Sequence, residues 1–466
     1  MSVTASRLGA APITLDWSNI VSAKAGTSST SRLGNSFDPE ATQNAWGKLL
    51  GNFKAQEVGF YDSPISNEIS QAAECEELAR KILASGNFTD CLFLGIGGSA
   101  LGPLSLLASL NEKRVNSKIR FHVAENPDPT EWSGTMAELR PESTLVCIVT
   151  KSGTTFETLA LALLALQWLG KERYRTHVVA ITDPVKGDLK KFATQEGIPT
   201  LHIAPSIGGR FSIFSPVGLF PAALAGLSVS QLLLGAKQVR DYIEKSPLEK
   251  NALFVLGNEI LRHQSQRPIH VCMPYSTKLR SLGTWFAQLW GESLGKDGRG
   301  FTPLAAVGAT DQHSLLQLLR DGPDDKITFF LTVDHVDQPV VIPRLQQSGS
   351  HPSLAAFKIL EGHTLHELLE VEYRATSLVL TKQGRPNVTW RLDRLDERTL
   401  GAVYYAFCVL TAFVGTLLGV NPFDQPGVEE GKVYIREALT QSAKSAADLQ
   451  DEDDHSAVNR LRRDRS

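Results

Sequence analysis

From about residue 86 onward, short apolar runs alternate with longer amphipathic segments. The short runs are nearly continuous in Val, Ile, Leu and Phe, as expected of strands buried on both faces. Along the chain they are DCLFLG, KIRFHV, TLVCIV, HVVAIT and TLHIA. The clearest helical segments between them are ALGPLSLLASL, FETLALALLALQWLG and GDLKKFATQEG. This alternation predicts an α/β domain with a mainly parallel sheet between two layers of helices.

Beyond Leu227 the pattern changes to long amphipathic helices, over about 229–265. A sparser α/β series follows, with strands at PIHVCM, KITFFLTV and NVTWRL. Its helices are predicted at SLGTWFAQLWGESLG, around 363–383, and in a segment that ends near Gly419. We therefore predict two three-layer αβα sandwich domains with mainly parallel sheets.

The predicted organisation has four parts. A helical extension over 1–85 packs on the core, and the first α/β domain covers 86–227. The second α/β domain covers 228–440, and a densely charged, mobile tail covers 441–466. The apolar stretch over 401–420 nears the ~20 residues that cross a bilayer. Its glycines, tyrosines and threonines favour a buried helix instead.

Charge and cysteine usage narrow the class of protein. The formal net charge of −3 provides no general attraction to nucleic acid or to an anionic membrane, so neither is expected as a partner. The first residues lack the basic region and apolar run of a signal peptide. The five cysteines are dispersed, which is typical of small buried hydrophobes in a reducing compartment. A cytoplasmic enzyme is the expectation.

Several polar clusters follow strands, where ligands of parallel sheets bind. The first is FLGIGGSALGP, in which Gly98 and Ser99 lie between a strand and a helix. Glycines allow a ligand to approach the backbone, and free N–H groups at the helix start favour an anion. The stretch also satisfies the loose dinucleotide pattern G-x-G-x-x-G/A. A tight turn that binds nothing is the structural alternative.

The second cluster is IVTKSGTTFETL, which brings five hydroxyls, an ammonium and a glycine to the end of an apolar strand. Thr150, Ser152 and Thr155 offer hydroxyl donors, and Lys151 adds charge. With the positive end of a helix behind them, they predict a phosphate-binding loop for a simple phosphomonoester. The alternative is an elaborate helix N-cap, but a cap uses one or two hydroxyls.

Two further clusters carry charged groups next to apolar segments. Arg210 lies in GGRFSIFSPVG, between glycines and an apolar helix, where a guanidinium needs an anionic partner. Glu292 follows the apolar helix of WFAQLWGESLG, a location suited to a general base. A structural ion pair for Arg210 and a solvated carboxylate for Glu292 are the alternatives.

The remaining candidates are weaker as single residues. His313 begins a helix in GATDQHS, and Gln425 and Lys432 flank a helix start in NPFDQPGVEEGK. Each has an ordinary alternative as a capping, packed or solvated side chain. His363 and His366 are spaced as H-x-x-H, but no clustered Cys, Asp or Glu accompanies them, so no metal site is expected.

Together and in this order, the motifs resemble those of the phosphoglucose isomerase family, most closely its bacterial members. The matching blocks are GIGGSALGP, TKSGTTFET, GGRFS, GESLGKDG, TDQHS and NPFDQPGVEEGK. The resemblance implies the two-domain sugar-isomerase (SIS) fold. It also implies reversible isomerisation of glucose 6-phosphate and fructose 6-phosphate, a step of glycolysis and gluconeogenesis, with no redox cofactor and no metal. A homodimer is implied, in which the catalytic histidine comes from the partner subunit.

Roles for individual residues follow from the same resemblance. Glu292 would be the general base that moves a proton between C2 and C1 through a cis-enediolate. His313 and Lys432 would open the sugar ring, and Glu157 would orient His313. Arg210 would stabilise the enediolate.

The resemblance also assigns the substrate-binding groups. Gln288 would contact sugar hydroxyls, and Gln425 would lie near the phosphate. The predicted phosphate ligands are Gly98, Ser99, Thr150, Lys151, Ser152 and Thr155.

Two other functions remain open from the sequence. A non-catalytic sugar-phosphate sensor would need the phosphate loop without the acid–base groups. A nicotinamide-dependent oxidoreductase would use the GIGGSA turn for its dinucleotide.

Overall fold

A computed structural model describes residues 5–23, 37–55, 57–110, 119–344 and 357–441 of the chain. The chain consists of two compact units, Met1–Pro422 and Phe423–Ser466. Within the described residues the larger unit contains two β-sheets. The strands are β1 (Ala5–Arg7), β2 (Ile13–Asp16), β3 (Asp90–Leu94), β4 (Arg120–Ala124), β5 (Thr144–Thr150), β6 (Val178–Thr182), β7 (Thr200–His202), β8 (Ile269–Pro274), β9 (Thr302–Ala305), β10 (Lys326–His335) and β11 (Asn387–Arg394).

Helices connect and cover these strands. They are α1 (Ser18–Val21), α2 (Pro39–Lys54), α3 (Asn67–Ser70), α4 (Ala72–Ser85), α5 (Leu101–Leu110), α6 (Pro129–Glu138), α7 (Phe156–Leu169), α8 (Tyr174–His177), α9 (Asp188–Glu196), α10 (Pro216–Leu224), α11 (Val229–Lys245), α12 (Ala252–Arg262), α13 (Arg280–Leu294), α14 (Gln312–Asp321), α15 (Leu365–Lys382) and α16 (Glu397–Leu418). The second unit is helical over 429–441.

The first sheet is parallel throughout, in the order β4-β3-β5-β6-β7. Every residue of β3, β5 and β6 is buried, which is why these strands appear as continuous apolar runs. One face of the sheet packs on apolar side chains of α6, α7 and α9. The strands and helices predicted from the apolar pattern are confirmed here.

The second sheet has the order β1-β2-β11-β10-β8-β9, and β8 to β11 run parallel. One face packs on α14 and α15 through a cluster that includes Phe330 and Tyr373. On the other face, Phe286 of α13 lies 5.8 Å from Phe329, and Phe407 of α16 stacks on Trp390 at 4.5 Å. Helices therefore cover both faces, and the predicted α/β class with parallel sheets is confirmed.

The N-terminal segment, predicted to be helical, also contains two strands. β2 pairs antiparallel with β11, placing Leu15 opposite Trp390, and β1 adds an edge strand to β2. Ile13 and Leu15 are fully buried, and Thr14 and Asp16 between them are partly exposed. The buried face of β2 completes the core beside the second sheet. The N-terminal segment is therefore anchored in that sheet.

Helix α16 has the length and apolar character of a membrane span, but 89% of its most apolar window is buried inside the protein. It contacts α2, α11, α12 and α13. The prediction of a buried helix is confirmed.

The segment predicted as long helices over about 229–265 forms two helices. Asn251 begins the second of them by accepting a hydrogen bond from the Leu253 N–H at 3.1 Å. The three predicted boundaries between the four parts stay predictions. After residue 441 the predicted tail lies outside the described residues.

Candidate active site

The two predicted anion-binding turns lie side by side. β3 and β5 are parallel neighbours, with Leu94 opposite Ile148, so their carboxyl ends reach the same edge of the first sheet. The Gly97–Ser99 turn leads into α5, and residues 151–155 lead into α7. Both turns therefore lie where a parallel sheet binds ligands.

The Gly97–Ser99 turn is packed against the segment that carries Arg210. A Cβ added to Gly98 would lie 2.3 Å from the carbonyl carbon of Gly209, so only glycine fits there. Ser212 Oγ donates to the carbonyl of Gly209 at 2.6 Å and lies 3.3 Å from the carbonyl of Gly98. Because Gly209 occupies the space against Gly98, the turn offers little room there for a dinucleotide.

The hydroxyls at the end of β5 and in the residues that follow it are hydrogen-bonded mainly to one another. Thr150 Oγ1 lies 2.9 Å from Thr155 Oγ1, and Ser152 Oγ lies 3.4 Å from the same atom. Thr155 occupies the cap position of α7, but its hydroxyl accepts no bond from the first turn. The helix-cap alternative therefore does not explain this cluster, whose hydroxyls and N–H groups share one helix N-terminus.

Lys151 forms contacts that the sequence did not predict. Its Nζ donates to the carbonyls of Pro205 at 2.8 Å and Ile207 at 2.7 Å. Burial lowers the pKa of Lys151, and nearby Asp183 opposes that shift. Two of the three N–H donors of the ammonium are thus used inside the protein.

Arg210 is buried, with 3% of its surface exposed. Its Nε donates to Ser293 Oγ at 2.7 Å and its Nη2 to the Pro422 carbonyl at 2.6 Å. Its Nη1 lies 3.5 Å from Glu292 Oε2. The guanidinium is therefore held rigidly with one edge toward the predicted base.

Glu292 lies between two donors near the end of α13. Gln288 Nε2 donates to Glu292 Oε1 at 3.1 Å, one helical turn away, and Arg210 approaches the other oxygen. A Cβ on Gly97 would lie 2.9 Å from Gln288 Nε2, so the side chain that donates to Glu292 adjoins the Gly97–Ser99 turn. About a third of the Glu292 side chain is exposed, which leaves the carboxylate accessible to a substrate.

Among the described residues, His313 and Glu157 form no hydrogen bond with this cluster. His313, in the first turn of α14, is exposed, and Glu157, in the first turn of α7, is partly buried. Within the described ranges, no hydrogen bond joins these two side chains. Gln425 and Lys432 belong to the second unit, where Lys432 Nζ pairs with Glu429 at 2.6 Å.

Two supporting residues were missed by the sequence reasoning. Ser293 fixes Arg210, and Ser212 links the Gly98 and Gly209 carbonyls. Their only signal was adjacency, since Ser293 follows Glu292 in GESLG and Ser212 lies two positions after Arg210. Over the described part of the chain, no group of three or more His, Cys, Asp or Glu side chains could hold a metal.

A family model for phosphoglucose isomerase matches residues 74–460, most of the chain. The chain belongs to the phosphoglucose isomerase family. The resemblance seen in the motifs is thereby confirmed.

Relatives of the family match along most of their own length. A glucose-6-phosphate isomerase from Rubrobacter xylanophilus is 42% identical over 91% of this chain and 96% of its own. One from Thermus thermophilus is 38% identical over 82% of this chain and 90% of its own.

Solved structures have the same fold. A hypothetical protein from Thermus thermophilus superposes with a TM-score of 0.79 at 36% identity, covering 86% of this chain and 95% of its own. A glucose-6-phosphate isomerase from Chlamydia trachomatis superposes with a TM-score of 0.76 at 22% identity, covering 94% and 90%. The similarity to the Chlamydia trachomatis structure shows the fold alone.

Proposed function

We propose that this chain catalyses the reversible isomerisation of glucose 6-phosphate and fructose 6-phosphate. The observation that carries the proposal is the position of Glu292, held between Gln288 and buried Arg210 beside the Gly97–Ser99 turn. A carboxylate base, a fixed cation and an anion-binding turn are what aldose–ketose isomerisation requires. Family membership supports the same reaction.

Glu292 removes the proton from C2 of the open-chain sugar and returns it to C1. The negative charge of the enediolate develops next to Arg210, whose fixed guanidinium needs no reorganisation to stabilise it. Gln288 holds one oxygen of the base and contacts sugar hydroxyls. No redox cofactor or metal enters this scheme.

The phosphate is bound where the two turns meet. Gly98 and Ser99 contribute from the Gly97–Ser99 turn. Thr150, Ser152 and Thr155 contribute from residues 150–155, here called the hydroxyl loop, with the N-terminus of α7 behind them. The backbone of Lys151 belongs to the same loop, and Gln425 lies nearby in the proposed complex.

Ring opening requires further groups besides Glu292. His313 and Lys432 act on the ring oxygen and the C1 hydroxyl, and Glu157 orients His313. In the proposed homodimer each site takes its histidine from the other subunit. The proposed location is the cytoplasm.

The sugar-phosphate sensor is not favoured. A sensor has no need to place a carboxylate within 3.5 Å of a buried guanidinium, because desolvating such a pair is costly unless it serves another purpose.

A coupled assay of fructose 6-phosphate turnover tests the proposal, with the variant Glu292→Gln. Loss of the base should lower kcat by about 100- to 10,000-fold. The affinity for a phosphorylated sugar acid should stay within about threefold, because the phosphate site is intact.

Glu249→Gln, at an exposed position of the same unit, is the matched control and should retain full activity. A wild-type protein without turnover would refute the proposed reaction. Full activity in Glu292→Gln would remove Glu292 from the mechanism.

A further inference from the structure

The ammonium of Lys151 reaches away from its own loop to a second one. Its acceptors, the carbonyls of Pro205 and Ile207, belong to the connection between β7 and the turn Gly209–Phe214. That connection leads to Arg210, three residues after Ile207. Lys151 therefore joins the hydroxyl loop directly to the segment that carries the buried guanidinium.

The same connection is also held by residues that precede the first sheet in the chain. The Gly59 N–H donates to the Ser206 carbonyl at 3.0 Å, between the two carbonyls that Lys151 holds. Phe60 stacks on Phe211 with ring centroids 4.8 Å apart. Lys151 thus supplies one of several attachments of this segment.

The hydroxyl loop has other donors for an anion. Its hydroxyls and the backbone N–H groups at the start of α7 need no ammonium to hold a phosphate. The partly buried lysine, by contrast, has two backbone acceptors at 2.7–2.8 Å, the spacing of good charge-assisted hydrogen bonds. Releasing it toward a phosphate would remove two hydrogen bonds from the segment that leads to Arg210.

We infer that Lys151 is a positioning residue, which acts on the reaction by holding the Pro205–Ile207 segment and thereby Arg210, and that its ammonium does not ligate the phosphate. This inference rests on the proposed function. A misplacement of about 1 Å in a catalytic group can reduce the rate by about 100-fold.

The test compares Lys151→Met and Lys151→Arg for kcat, for KM of fructose 6-phosphate, and for the inhibition constant of inorganic phosphate. In Lys151→Met we expect kcat to fall by about 10- to 100-fold, because the segment that carries Arg210 loses two of its hydrogen bonds and Arg210 shifts from its productive position. KM and the inhibition constant should stay within about threefold. Lys151→Arg, which keeps donors and charge, should recover kcat to within about fivefold of wild type.

Two controls frame the measurement. Ser152→Ala, which removes a proposed phosphate donor, should raise the inhibition constant. Lys171→Met, at an exposed lysine that pairs with Glu196, should leave kcat, KM and the inhibition constant unchanged. If Lys151→Met does not yield folded protein, Lys151→Gln provides the same measurements with an uncharged donor.

A rise of tenfold or more in the inhibition constant of Lys151→Met would overturn the inference, because the ammonium would then be a phosphate ligand. An unchanged kcat would overturn it as well. Absence of turnover in the wild type would instead refute the proposed reaction, so the two failures are distinguishable.

Discussion

At the scale of single residues, the site depends on how Arg210 is held. Two of its hydrogen bonds go to neutral acceptors, Ser293 Oγ and the Pro422 carbonyl, while the Glu292 carboxylate lies at 3.5 Å. These bonds fix the position of the guanidinium next to the base. A guanidinium fixed in this position can stabilise a developing oxyanion without reorganisation.

Ser293→Ala should lower both activity and stability. The substitution leaves the buried Arg210 Nε without its 2.7 Å acceptor, so the free energy of unfolding should fall by about 1–3 kcal/mol. Loss of orientation should reduce kcat by about tenfold. Urea unfolding and the coupled assay measure the two effects.

Ser133→Ala removes an exposed hydroxyl that donates within α6 and is the control. If both variants kept wild-type kcat, Ser293 would not position the guanidinium.

His263 should make stability depend on pH below neutrality. Burial, with Arg262 and Arg267 nearby, lowers the pKa of His263 to about 4. Since the unfolded value is about 6.5, the unfolded chain binds the proton first. The stabilisation is therefore complete above about pH 6.5 and is lost as the pH falls toward 4, by about 3 kcal/mol in total.

His263→Gln should flatten this acid loss between pH 7 and pH 5. Glutamine can accept from Arg267, which donates to Nδ1 at 2.6 Å, and donate to the Ile20 carbonyl, which Nε2 contacts at 3.2 Å, without titrating. Urea unfolding at each pH is the measurement, with exposed His335→Gln as the control. Equal acid slopes in wild type and His263→Gln would contradict the assignment.

At the scale of elements, two glycines allow α11 and α16 to approach closely. A Cβ on Gly401 would lie 2.0 Å from the Leu232 carbonyl oxygen, and one on Gly235 would lie 1.8 Å from that of Arg398. Both obstacles are backbone atoms, which cannot move aside as a side chain end would. The crossing of these helices therefore requires glycine at both positions.

Gly401→Ala should destabilise the protein by about 1–3 kcal/mol or more, because the two helices must separate. Gly47→Ala is the matched control, since nothing lies within 4 Å of its added Cβ on α2. That variant should gain about 0.5–1 kcal/mol from the helix propensity of alanine. Denaturant unfolding compares them, and equal stability of Gly401→Ala and wild type would contradict the close contact.

At the scale of the whole molecule, the proposal that His313 comes from the partner subunit bears on assembly. If each site combines Glu292 of one subunit with His313 of the other, two inactive variants can complement each other. Co-expressed Glu292→Gln and His313→Ala chains should recover about a quarter of wild-type activity. About half of the randomly formed dimers are mixed, and each mixed dimer has one intact site out of two.

Each variant alone should remain inactive, and light scattering should report a dimer. A monomer, or mixed chains no more active than the separate variants, would contradict the shared site.

Much of the fold was predictable because buried parallel strands appear as nearly continuous apolar runs. Strands β1 and β2 were not, since three or four residues carry little pattern and Leu15 pairs with Trp390, far away along the chain. The short β9, which contains Pro303, was missed for the same reason.

In the site, the sequence identified the residue types but not their neighbours. The motif order was enough to indicate the family, the α/β layering and the candidate groups around Glu292 and Arg210. Which acceptor each donor meets was decided only by the tertiary structure, as Lys151 with Ile207 and Arg210 with Ser293 demonstrate. Local pattern follows from burial and backbone propensity within one element. Hydrogen-bond partners instead depend on where folding places loops that are distant along the chain.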